Sequence, residues 1–227
     1  MNTVLNFIIY FFIYSLMGWL LEVGSKFVTT GKFVNRGFLI GPICPIYGYC
    51  MVLLTLLIGT GDKDILSIFL KSILVCSLIE YGTSYIMEKV FKARWWDYSN
   101  NRFNINGRVC LETMLPFGIM GTLALYFLQP AFHDFVGIFS YNIKLIIAAV
   151  LSVLYLFDNF ISFKVMKKIK IQIKKQKEDN TTAIKTQVTE WINSHSFLYK
   201  HFIKAFPNFK IINRVKNFLI KKDVNKE

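Results

Sequence analysis

Glu22, Glu80, Glu88, Glu112 and Asp158 lie inside or at the ends of long apolar runs. A carboxylate near hydrocarbon must be paired, protonated or wetted, so acids in such places mark functional positions by default. They suit two kinds of chemistry. One is the capture of a cation, a proton or an amine; the other is general acid–base work on a phosphate-bearing headgroup. Glu80, Ser84 and Glu88 follow i, i+4, i+8 spacing and share one helix face. Glu80 is the deepest, about ten residues and so about 15 Å from the inner end of its run at helical rise. Headgroup water is an alternative explanation for Glu22, Glu88 and Asp158, and the dipole of a helix N-terminus for Glu112. Neither applies to Glu80, which is expected to face a bundle interior or a polar cavity and to have a polar or ionic partner.

Residues 93–108 read Ala-Arg-Trp-Trp-Asp-Tyr-Ser-Asn-Asn-Arg-Phe-Asn-Ile-Asn-Gly-Arg. Trp96 and its neighbours suit a headgroup-level aromatic belt. The functional alternative is a gate or headgroup site at a membrane mouth, with Trp96, Asp97, Asn106 and Arg108 as candidates. There Arg94 and Arg108 could pair with the membrane acids or hold an anion. Arg36 is a further basic candidate, from an earlier loop. Asn106-Gly107 predicts a tight turn.

The elements that must position these groups are apolar helices. The composition is 54% hydrophobic with 22 Phe, which suits a membrane protein rather than a soluble domain. Five segments, about Val4–Gly24, Phe38–Gly59, Ile65–Val90, Cys110–Leu128 and Ile143–Phe163, each approach the length that crosses a bilayer. The fold class expected is therefore all-α, a polytopic membrane protein with about five transmembrane helices.

Segment two is irregular. Gly37, Gly41, Pro42, Pro45, Tyr47 and Gly48 fall in its first half, and each internal proline removes a ladder hydrogen bond. A broken or re-entrant entry offering free carbonyls and an ordinary proline kink both fit. Broken backbone at membrane depth is tolerated only where protein covers it or it lines a wet cavity.

Charge sets the orientation. Residues 1–163 hold 11 Lys+Arg against 9 Asp+Glu, and residues 164–227 hold 16 against 5. Lys26, Lys32 and Arg36 in loop one, and Lys89, Lys92, Arg94, Arg102 and Arg108 in loop three, place those loops inside. Loop two, with Lys63 between two acids, and loop four, with His133 and Asp134, then lie outside. The N-terminus is expected outside and the C-terminus in the cytoplasm of a plasma-membrane protein, with residues 1–163 the membrane domain. The first run lacks a basic n-region and a cleavage site, so it reads as a retained helix.

Residues 164–227 form a basic cytoplasmic tail. Lys167–Lys177 could prolong helix five. Ile184, Val188, Trp191, His195, Leu198, Phe202 and Phe206, then Ile211, Ile212, Val215, Phe218 and Leu219, recur at helical spacing. Such basic amphipathic helices lie on an anionic inner leaflet or pack on the domain's own loops. The leaflet, not nucleic acid, is the expected partner of the tail.

Other chemistry is excluded by motif. There is no phosphate-binding G-x-x-x-x-G-K-[ST] loop, no H-E-x-x-H and no G-x-S-x-G. Cys44, Cys50, Cys76 and Cys110 lack zinc-ligand spacing and read as small buried hydrophobes. No metal or cofactor is expected, and no catalytic residue is assigned.

Gly18-Trp19 with Glu22, Asn35-Arg36-Gly37-Phe38-Leu39, Gly41-Pro42 and Pro45-Ile46-Tyr47-Gly48 resemble the putative ABC-transporter type IV (CmpB-type, permease-like) family. Glu80-Tyr81, Trp96-Asp97-Tyr98-Ser99, Phe103 to Arg108 and Pro116-Phe117-Gly118 extend that resemblance over residues 5–160. It implies a permease-like protein served by a separate ATPase subunit, and so small a permease would need at least a dimer to enclose a path. The expected site has Glu80, Glu112 and Arg108 lining a polar cavity for a small or lipid-like solute. The alternatives are a membrane enzyme acting on lipid headgroups and a non-catalytic scaffold.

Overall fold

The computed structural model describes residues 2–58, 64–91, 93–175 and 210–211. The described chain is mostly helical. Helix α1 spans Asn2–Thr30, α2 Pro45–Ile58 and α3 Ile65–Phe91. Helix α4, Leu111–Leu123, passes through a π-turn at Ala124–Leu128 into α5, Gln129–Gly137, and α6 runs Tyr141–Lys175. Four stretches are long and apolar enough to cross a membrane: Asn2–Thr30, Ile65–Phe91, Leu111–Gly137 and Tyr141–Lys168.

Segment two departs from the expected fifth long helix. Residues 37–44 are non-helical, and only Pro45–Ile58 is α-helical. The Cys44 N–H donates to the Ser15 carbonyl at 2.9 Å, so the irregular stretch folds back along α1 to about its middle. From there α2 follows the first half of α1. This is the broken entry rather than a kinked helix. The backbone polar groups of such a stretch must still be satisfied. The Gly41 and Cys44 carbonyls accept from Ile43 and Tyr47, and the Ile40 carbonyl accepts from Asn35. These three carbonyls thus each accept one bond from within the segment or from Asn35.

Segment four also differs. It was expected to end near Leu128, with His133 and Asp134 in a loop, but the helix continues to Gly137. Pro130 lacks an N–H and would crowd the preceding turn of a regular helix. The π-turn, in which the Gln129 N–H reaches the Ala124 carbonyl, widens the turn before Pro130 and lets the helix proceed.

Small residues allow the helices to approach, as expected where lipid offers no hydrophobic drive to pack. A Cβ on Gly48 would collide with the Phe11 carbonyl and Ser15 Oγ of α1, and one on Gly121 with Ser72 of α3. Gly48→Ala is therefore expected to lower the thermal midpoint in mild detergent by an overpacking cost of about 1–3 kcal/mol. Gly24→Ala, whose Cβ meets nothing within 4 Å, is expected to be neutral or stabilising by up to about 1 kcal/mol. Equal responses would refute the close-approach role of Gly48.

The buried core joins Ile9, Tyr10 and Tyr14 of α1, Met51 and Leu54 of α2, Ile68 and Val75 of α3, Leu125 of the π-turn and Val136 of α5. Helix α6 packs Ile147 against this cluster and meets α1 and α2 through Tyr155, which stacks edge-on with Phe11 and whose hydroxyl is 3.1 Å from that of Tyr49. It passes unbroken through Phe163, where the tail was expected to begin. Between α3 and α4 lies a short hairpin, β2 Asn104–Ile105 with β3 Val109–Cys110. Strand β1, Ala93–Arg94, pairs antiparallel with β4, Lys210–Ile211. The rest of the expected amphipathic tail, from residue 176, and Lys63 and Lys92 lie outside the described residues.

Candidate functional site

The α3 face that carries Glu80, Ser84 and Glu88 lies against the loop between α3 and α4, and each of the three meets a loop residue. Glu88 Oε2 sits 2.9 Å from Arg94 Nε and 2.9 Å from an Arg108 guanidinium nitrogen. Arg94 opens the loop and Arg108 closes it, so one carboxylate oxygen fastens both ends. Arg108 also donates to Ser84 Oγ at 3.2 Å and rests against the Tyr81 and Tyr85 rings. Its own carbonyl accepts from Trp96 Nε1 at 3.0 Å.

The loop is internally bonded. Asp97 Oδ1 accepts from the Ser99 N–H and Ser99 Oγ and faces Arg94 at 3.4 Å. Asn106 and Gly107 have φ of +52° and +66°, and the Arg108 N–H reaches the Ile105 carbonyl at 3.0 Å. Positive φ at both central residues is what the tightest hairpin turns require, so the expected Asn106-Gly107 turn is present. Asn106 also donates to the Tyr81 hydroxyl at 2.9 Å.

This folding carries Tyr98 to Glu80. The Tyr98 N–H donates to the Gly107 carbonyl at 2.8 Å, and its hydroxyl donates to Glu80 Oε1 at 3.3 Å. Burial, with the charges of Glu80 and Glu22 nearby, pushes the Tyr98 phenol well above its usual range. It therefore stays a proton donor. Glu80 is only 6% exposed, and among the described residues its Oε2 has no hydrogen-bond partner.

Glu22 lies on α1 within electrostatic reach of Glu80. It accepts from the Tyr47 hydroxyl at 2.8 Å and pairs with Arg36 at 3.6 Å. Gly18 leaves room for the Tyr47 ring. Asp158 does not reach outward for headgroup water. Its two oxygens accept from the Ile40 N–H at 3.0 Å and the Gly41 N–H at 2.8 Å, with Ser162 Oγ adding a third bond at 3.1 Å. It caps the broken segment.

Glu80, Glu88, Arg108, Trp96, Asp97 and Asn106 thus gather under and within one loop, with Glu22, Arg36 and Tyr47 beside them. Glu112 does not join. It is exposed and bound to Asn101, and Arg108 pairs with Glu88 rather than Glu80. Gly41, Pro42, Pro45 and Gly48 shape the neighbouring entry. Tyr98 and Ser77 were not singled out from the sequence. Tyr98 had a signal as a hydroxyl in the aromatic loop and as part of the Trp96-Asp97-Tyr98-Ser99 motif, and Ser77 only as the residue one helical turn before Glu80.

The apolar helices and their enclosed acids define a helical membrane protein. Its residues 9–163 match the family described as Putative ABC-transporter type IV, and the chain belongs to that family. Searches of curated proteins and of solved structures gave no match.

Proposed function

We propose that the chain is a permease-type component of a transport system, with Glu80 as its solute-contacting group and the Arg94–Arg108 loop as the cover of that group. Family membership supports the transport assignment. The carrying observation is the buried Glu80 carboxylate, held by one phenol on one oxygen and by nothing described on the other. In this reading the covered end faces the cytoplasm, the N-terminus lies outside and the protein sits in the plasma membrane. Segment two crosses as a non-helical half followed by the helical half α2, the broken-helix design of transporter sites. The basic tail rests on the anionic inner leaflet, ATP is hydrolysed by a separate subunit, and the chain works as a homo-oligomer.

Purification in mild detergent at native expression, followed by mass spectrometry, tests the partner. A phosphate-loop ATPase is expected at fixed stoichiometry, and self-association alone would defeat the reading. In a deletion strain, Glu80→Gln at wild-type abundance is expected to fail to restore the lost phenotype. Full restoration would remove Glu80 from the function.

A further inference from the structure

Four of the five acids singled out in the apolar runs have a counter-group in the fold. Glu22 has Arg36, Glu88 has Arg94 and Arg108, Asp158 has two backbone N–H groups, and Glu112 has Asn101. Glu80 forms no ion pair among the described residues and is the most buried of the five. A second unpartnered polar atom lies one turn before it. Ser77 is 8% exposed, and its Oγ has no partner among the described residues. Residues at i and i+3 are neighbours on a helix surface.

Small hydroxyls elsewhere in these helices behave differently. Thr55 and Thr122 bond back to the carbonyls of Met51 and Gly118, the usual refuge of a hydroxyl in an apolar helix. The Ser15 and Ser72 hydroxyls also lack partners among the described residues, but each faces a glycine of the adjoining helix, Gly48 or Gly121, where small size explains the residue. No glycine faces Ser77 among the described contacts.

We propose that Glu80 and Ser77 bind an ammonium group, the protonated end of a primary amine, beneath the Tyr98 cover. The inference rests on the permease reading and names the chemistry of its solute. An ammonium offers three donors and no acceptor. It thus matches a site whose open valences include two acceptors, Glu80 Oε2 and Ser77 Oγ. It supplies the missing positive charge. It also tolerates aromatic faces, and Tyr98 approaches from the loop while Tyr47 of α2 lies within electrostatic reach of Glu80. Hard metal cations fit less well, because they take about six or more oxygen ligands. Among the described residues no group of three His, Cys, Asp or Glu gathers to hold a metal ion. The amine can come from a free solute or from an aminophospholipid headgroup.

The test uses full-length protein in nanodiscs of phosphatidylglycerol, labelled with a hydrophobic carbodiimide and mapped by mass spectrometry. Ethylammonium is expected to protect Glu80 in a saturable manner, while tetramethylammonium, which has no N–H, and sodium protect at least tenfold less well. Ser77→Ala is expected to weaken protection several-fold while the protein keeps its elution profile and thermal midpoint. Glu80→Gln is expected to abolish the label and to lose ethylammonium-dependent thermal stabilisation. Nanodiscs containing phosphatidylethanolamine identify the source: protection without added amine assigns the headgroup, and protection only by added amine assigns a free solute. Equal protection by sodium or tetramethylammonium, no protection by either amine source, or an unchanged Ser77→Ala response would overturn the assignment. If Glu80→Gln fails to complement but no amine protects, the permease reading stands and the ammonium assignment falls. If amine protects a Glu80 that complementation does not require, the site stands and its role in transport falls.

Discussion

Glu88→Ala is expected to release the loop at both ends and to destabilise the protein by about 2–3 kcal/mol, because removing one partner strands charges that the fold had enclosed. The loss falls just below that of a fully buried pair because the Glu88 side chain is 20% exposed. The loss exceeds that of either arginine alone, since Glu88 Oε2 is the atom on which Arg94 and Arg108 converge at 2.9 Å each. Arg94→Ala removes the more exposed arm and is expected to cost least. Arg108→Ala also forfeits Ser84 and the Tyr81 and Tyr85 faces and is expected to fall between. Hydrogen exchange across residues 95–107 reads the effect directly. Glu88→Ala should lose protection through the whole loop, including the Tyr98 amide now bonded to the Gly107 carbonyl. An exchange pattern identical to wild type would mean that the internal bonds of Asp97, Ser99 and Gly107 hold the cover without its anchor.

The loop shows where sequence patterns carry and where they stop. Apolar run length placed segments one, three and five close to their helices, and the i, i+4, i+8 row of Glu80, Ser84 and Glu88 does meet the loop residue by residue. Asn106-Gly107 announced its turn because positive φ is a local property. Proline density in segment two announced a break for the same reason. The continuation of segment four was not legible, because Pro130 reads as an ending unless the π-turn before it is known. Nor could spacing reveal that Tyr98 rather than an arginine reaches Glu80, or that Glu112 turns outward. Those outcomes depend on how the loop folds back over α3, and no helical period encodes that.

Burial was legible at Glu80 because depth along the segment excludes water, and of the polar or ionic partner expected there the fold supplies a polar one, Tyr98. Asp158 shows the same argument failing. It sits near the inner end of its segment, where headgroup water is a sufficient explanation, yet it serves backbone groups about 117 positions away in sequence. What the sequence did show was the other half of the bond: a Gly-Pro stretch at membrane depth, whose amides needed an acceptor from somewhere.

Asp158→Ala is accordingly expected to be among the most damaging single changes. It leaves the Ile40 and Gly41 N–H groups and the Ser162 hydroxyl without their acceptor. An unsatisfied buried donor costs about 1–3 kcal/mol, and Asp158 is partly exposed, so the sum is expected near 3 kcal/mol rather than at the top of that range for three groups. Asp158→Asn keeps one carbonyl oxygen and should lose roughly half as much. It presents an NH₂ where Gly41 also presents a donor, so its remaining deficit belongs mainly to that position. Gly41→Ala approaches the same junction from the other side, since its Cβ would lie 2.8 Å from Asp158 Oδ2. Thermal midpoints in mild detergent should rank wild type above Asp158→Asn above Asp158→Ala. The double change Asp158→Ala with Gly41→Ala should cost less than the two single changes added together, because the steric conflict disappears with the carboxylate. Strict additivity would show that Asp158 and the broken entry are energetically separate, and the capping role assigned to this acid would fail.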